Sequence, residues 1–146
     1  TLFRSGMEEK EYVATSFMAF EKGHPLVKEF LNLYEQLSFL DKKGQIIAGT
    51  NVAKLTKMLK EKGFVQENHY QELENGIQIY PKEFFSPYDY INCHYNITEN
   101  SYCVHYFAVS WMSKKEQVKK EIKKRIVKIL GPEKMNEIRE KLWKKN

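Results

Sequence analysis

A chain of 146 residues, 42% hydrophobic and 14% aromatic, is long enough to bury one core and gives no sign of two. It contains no run of eighteen apolar residues, which excludes a membrane-spanning helix, and its opening residues do not read as a secretory signal. The net charge of +5 is unevenly held: residues 114–146 carry 13 Lys/Arg against 5 Glu, residues 1–113 carry 11 against 14 Asp/Glu, so a basic tail follows a slightly acidic domain and no nucleic-acid-binding core is expected. Two cysteines, Cys93 and Cys103, form no CxxC pair and cannot build a disulfide framework, which points to a reducing, cytoplasmic setting.

In chain order, Thr1–Ser5 (TLFRS) reads like the translated end of a sequencing adaptor and is expected to be foreign to the domain, with the natural protein extending upstream. Tyr12–Phe20 is β-branched and aromatic enough for a central strand. Gly23-His24-Pro25 breaks it, and Leu26, Phe30, Leu33, Tyr34 and Leu37 then repeat at helical spacing to about Leu40. Asp41–Gly44 is a turn; Thr50 or Asn51 caps a second helix with Val52, Leu55 and Leu59 on one face and Gly63 as its stop. Glu67–Gly76 reads as a polar loop, Ile77–Tyr80 as a short strand ended by Pro81, and Phe84–Asn96 as an aromatic irregular loop. Tyr102–Phe107 is expected to be the last strand. Ser113 caps a helix from Lys114 with Val118, Ile122, Ile126, Ile129 and Leu130 as its apolar stripe, Gly131-Pro132 breaks it, and a last short helix follows. Alternating strands and helices make an α/β domain.

Few residues can carry chemistry. The only aspartates, Asp41 and Asp89, lie 48 positions apart, so no D-x-D pair is present, and HExxH, GxGxxG and GxxxxGK[ST] are absent. Cys93-His94 and Cys103-Val104-His105 offer zinc-type ligands, but adjacent residues of an extended chain face opposite ways. His24 precedes a helix start, where capping or packing is the commoner use of an imidazole than contact with an anion; His69 sits in a polar loop. Just past the final strand, His105 is joined by Ser110 and Trp111. An imidazole can ligate a divalent ion, a hydroxyl can bond a phosphate oxygen, and an indole can donate its N–H while its face packs a sugar or base. Lys114–Lys128 holds eight basic and two acidic residues around the apolar stripe, which suits either an anionic membrane surface or a packed terminal helix with a solvated lysine face.

Four blocks, Ser16–Leu31, Gly49–Gly63, Ile77–Pro87 and Thr98–Trp111 (TENSYCVHYFAVSW), resemble in order and spacing the C-terminal half of glycosyltransferase family 32, the DXD-containing transferases of capsular and surface polysaccharide synthesis. Where that family often shows two adjacent histidines this chain has His105-Tyr106; Val109 stands in place of a glycine before Ser-Trp, and Gly49-Thr50-Asn51 in place of Thr-Gly-Pro. The resemblance implies the C-terminal part of a GT-A fold over residues 6–113, a mixed sheet flanked by helices, with 114–146 a basic amphipathic helical tail. It implies transfer of a sugar from a nucleoside-diphosphate donor to a saccharide acceptor with Mn²⁺ or Mg²⁺. His105, Ser110 and Trp111 would form one wall of the donor-diphosphate site, with His105 the metal ligand. The DXD would lie upstream, leaving this chain inactive alone. The competing expectation is a non-catalytic module that docks through its basic helix on the inner face of a membrane or on an acidic partner.

Overall fold

The computed structural model describes residues 1–8, 11–38, 40, 42–44, 50–107 and 113–143. Its centre is a mixed four-stranded sheet built from β1 (Phe3–Met7), β2 (Val13–Phe20), β3 (Gln71–Leu73) and β4 (Ile77–Tyr80), in the order β2-β1-β4-β3. β1 runs parallel to β4 and antiparallel to β2, and β3 pairs antiparallel to β4. Helices α1 (Pro25–Glu35) and α2 (Asn51–Lys60) lie between β2 and β3 in the chain. After β4 come a one-turn helix α3 (Lys82–Phe85), a small hairpin of β5 (Tyr88–Asp89) and β6 (His94–Tyr95), and the helices α4 (Lys114–Leu130) and α5 (Pro132–Trp143).

Alternation along the inner strands sorts the two faces. Phe3 and Met7 of β1 join Ile77 and Ile79 of β4 in a core completed by Val13, by Leu26 of α1, and by Leu55, Met58 and Leu59 of α2. Thr1–Ser5 nevertheless packs with the rest of the chain. It supplies most of an inner strand, and Phe3 is 1% exposed. Ser5 is buried on the same face, where its hydroxyl lies 2.8 Å from the Ala14 carbonyl and 2.9 Å from that of Phe17. Those carbonyls belong to the stretch where the β1–β2 register shifts, so the serine satisfies backbone groups that the ladder leaves over. β2, expected at the centre of a sheet, is an edge strand instead.

The opposite face is aromatic. Phe85 of α3 lies over Gly6 so closely that a Cβ built at Gly6 would stand 2.7 Å from its ring. The ring also stacks on Phe17 at 3.8 Å, which leaves it little room to retreat. Gly6→Ala is accordingly expected to cost about 1–3 kcal/mol through overpacking, measured as a lowered urea midpoint with unchanged slope.

Both long core helices start as their sequences indicate. His24 Nδ1 accepts from the Leu26 N–H at 3.2 Å, with Pro25 in the first turn, and Thr50 Oγ1 accepts from the Ala53 N–H at 3.3 Å. α1 stops at Glu35, short of Leu40. Leu37 and Leu40, which carry the periodicity further, are exposed, so no packing holds another turn. The expected loop at Glu67–Gly76 contains β3 and a tight reversal. Asn75 (φ 61°) and Gly76 (φ 71°) both take left-handed backbone, the geometry that an Asn-Gly pair supplies to a two-stranded hairpin. The expected aromatic loop at 84–96 contains the end of α3 and the β5–β6 hairpin, whose turn is held by Asp89: Oδ1 accepts from Asn92 N–H at 2.8 Å and Oδ2 from Asn92 Nδ2 at 2.6 Å.

Candidate functional site

Tyr102–Phe107 is not a strand. Its first N–H groups turn to the end of α3, with Tyr102 N–H donating to the Phe84 carbonyl at 2.8 Å and Cys103 Sγ lying 3.6 Å from the Phe85 carbonyl. Burial along it does not alternate: Tyr102 and Tyr106 are exposed, while Val104, His105 and Phe107 are half-buried. Aromatic and β-branched content suggests a strand, but no neighbouring edge is offered to it among the described residues. The segment instead lies against α3 as an irregular strap. It ends at Phe107, whose φ of 45° is unusual for a residue with a side chain.

His105 sits at the middle of this strap. Its ring stacks on Phe107 at 4.1 Å and an interplanar angle of 17°, and Phe107 in turn packs on Tyr90 at 4.7 Å. Residues 103–107, Ser16 of β2 and Phe85 of α3 line an open pocket of about 470 Å³. Nδ1 of His105 is buried and has no hydrogen-bond partner among the described residues. A buried polar nitrogen left unpaired carries a desolvation cost. Burial also holds the His105 pKa below the ordinary imidazole value, so the ring is neutral at pH 7. The consequence for stability has a definite sign. The folded state resists a proton that the unfolded chain takes up near its ordinary value of 6.5, so the contribution of His105 is complete above that pH and shrinks as pH falls toward the lowered folded value. The melting temperature of the wild type is therefore expected to drop more between pH 7 and 5 than that of His105→Gln, which scanning calorimetry on the pair would measure.

The other expected residues fare differently. Ser110 and Trp111 lie outside the described residues, so of the three-residue wall only His105 is placed. The strap beyond it is tied to α4 by Lys120 Nζ, which donates to the Phe107 carbonyl at 2.5 Å. Tyr106 packs edge to face with Tyr95, ring centroids 6.2 Å apart. His24 is a buried helix cap, with Nε2 3.1 Å from the Asn75 carbonyl, and makes no anion site. His69 is exposed, 3.7 Å from Glu67. Both cysteines are free, and no group of three His, Cys, Asp or Glu among the described residues is placed to hold a metal ion. Asp89 has both oxygens engaged by Asn92, and Asp41 lies outside the described residues. His105 alone offers one nitrogen, so the described residues do not fit a divalent metal by themselves.

Ser16 and Phe85 are the lining residues that local sequence reading does not single out. Each lies in one of the blocks SFMAFEKGHPLVKEFL and IQIYPKEFFSP, and the fold brings both to the block that contains His105. No protein-family model matches this sequence, and no curated protein or solved structure matches it either.

Proposed function

We propose that this chain is the C-terminal portion of a GT-A-type glycosyltransferase that moves a sugar from a nucleoside diphosphate to a saccharide acceptor in surface or capsular polysaccharide synthesis. One observation carries the reading: three sequence blocks, represented by Ser16, Phe85 and His105, converge on one pocket lined in part by the His105 ring. A mixed sheet with helices, carrying this pocket beside its aromatic face, is compatible with that architecture.

The pocket suits a departing diphosphate. As the glycosidic bond breaks, the nucleoside diphosphate gains negative charge, and a preorganised donor in a water-poor site lowers the barrier. The neutral His105 ring lines this pocket and carries one N–H that can donate to a phosphate oxygen, and stacking on Phe107 at 4.1 Å holds the ring plane. Phe85 and the strap supply apolar walls to this open pocket. The divalent metal implied by the resemblance would be held chiefly by carboxylates outside this chain. The competing non-catalytic reading is favoured by the exposed stripe of α4 alone.

Incubating the full-length protein with a panel of nucleotide sugars, an acceptor extract and Mn²⁺ tests the proposal. The full-length protein is expected to release nucleoside diphosphate and this chain alone is not. Release by neither, with the full-length protein folded, would reject the catalytic reading.

A further inference from the structure

Helix α4 is held to the body by one side and displays the other. Ser113 and Glu116 form a reciprocal cap at its start, with Glu116 accepting from the Ser113 N–H at 3.0 Å. Lys120 reaches the Phe107 carbonyl, Gln117, Lys120 and Lys124 face Tyr88, Tyr95 and Tyr106, and Val127 is only 4% exposed. The apolar stripe legible in the sequence is on the far side. Val118, Ile122, Ile126 and Ile129, at spacings of four, four and three, share a face and are 58%, 53%, 40% and 81% exposed. Four large aliphatic side chains in one row, left in water along a helix of 17 residues, need a cover.

We propose that this face of α4 lies in the plane of an anionic lipid surface. Charge complementarity selects the occupant. α4 carries eight Lys/Arg and two Glu, and Lys115 and Lys119 border the stripe on one side while Lys114 and Arg125 border it on the other. Cationic side chains on both flanks of an aliphatic row place their stems along the acyl boundary and their charges among anionic headgroups. The two glutamates do not spoil this arrangement: Glu116 is engaged in the cap, and Glu121 lies one turn from Lys124 and Arg125. No helix among the described residues is long and apolar enough to cross a membrane, so the contact is with its surface. The proposal is independent of the catalytic reading, because it uses no residue of the His105 pocket.

Vesicle flotation tests it, with the chain and the full-length protein each mixed with phosphatidylcholine vesicles with or without about a quarter phosphatidylglycerol. Both proteins are expected to float only with the anionic vesicles, and raising salt to about 0.5 M is expected to weaken that binding. Ile122→Ser with Ile126→Ser should weaken partition on the order of 10–100-fold. The melting temperature should fall only slightly, because the two side chains are already 53% and 40% exposed. Lys119→Glu with Arg125→Glu should abolish the preference for anionic lipid. Four results would overturn the proposal. The first is absence of flotation, and the second is binding that the isoleucine variants leave intact, which marks a purely electrostatic partner. The third is lipid-independent oligomers that the isoleucine variants dissolve, which marks a second copy as the cover. The fourth is binding by this chain but not by the full-length protein, which marks an upstream segment as the cover.

Discussion

Under the proposed glycosyltransferase reading, His105→Ala in the complete enzyme is expected to lower kcat on the order of 10²–10³, the usual loss when one preorganised contact to developing charge is removed. The effect should fall on kcat more than on KM, because the leaving diphosphate carries more charge in the transition state than in the bound donor. Two features of the pocket set this expectation. Among the described residues Nδ1 has no hydrogen-bond partner, so removing the ring breaks no hydrogen bond to them at that atom. The ring is neutral, so its N–H can serve as a donor without a proton first being taken from solvent. The ring also packs on Phe107, and its removal must cost some stability. Melting and kinetics measured on the same preparation separate the two contributions. A variant with lowered Tm but full activity per folded molecule would make His105 a packing residue of the strap. His69→Ala, at an exposed loop position, should leave both quantities nearly unchanged.

Phe3→Ala is expected to destabilise the chain by about 3–5 kcal/mol, the range for deleting a buried aromatic ring. Phe3 pairs with Phe20 on one side and Ile77 on the other, and its ring lies 6.3 Å from that of Phe20 and 5.7 Å from that of His24. No neighbouring backbone can collapse into the space, because both flanking strands are pinned by the ladders. Equilibrium urea unfolding would read the loss as a lower midpoint with the same slope. A change within about 0.5 kcal/mol, the usual size of a surface substitution, would mean that Thr1–Ser5 stands outside the folded unit after all.

Helices were legible where periodicity and a cap coincided: Pro25 after His24, Thr50 before Asn51, and Ser113 three residues before Glu116 each mark a start that the fold uses. Strands were less so. Phe3, Ser5 and Met7 alternate onto one face, but three core positions in so short a stretch carry little weight beside a likeness to adaptor sequence. β3 was announced only by Asn75-Gly76, whose paired left-handed conformations close the hairpin with β4. Tyr102–Phe107 shows the converse error. Its composition suits a strand, yet a strand also needs an edge to pair with, and among the described residues this segment spends its N–H groups on the end of α3. For the same reason His105 could be picked out, whereas Ser16 and Phe85 could not. Nothing in the local pattern tells which residues almost ninety or twenty positions away share a pocket with an imidazole. The apolar stripe of α4 was visible as periodicity, but its direction depends on which side meets Tyr88 and Tyr106, a tertiary fact.

The most direct test of the account follows the histidine ring resonances of the full-length protein during titration with nucleoside diphosphates. His105 is expected to shift saturably with the nucleotide of the true donor, while His24, locked between Leu26 and Asn75, and His69, exposed beside Glu67, stay in place. Saturable nucleotide binding that leaves the His105 resonances unmoved would contradict the placement of the donor diphosphate in this pocket.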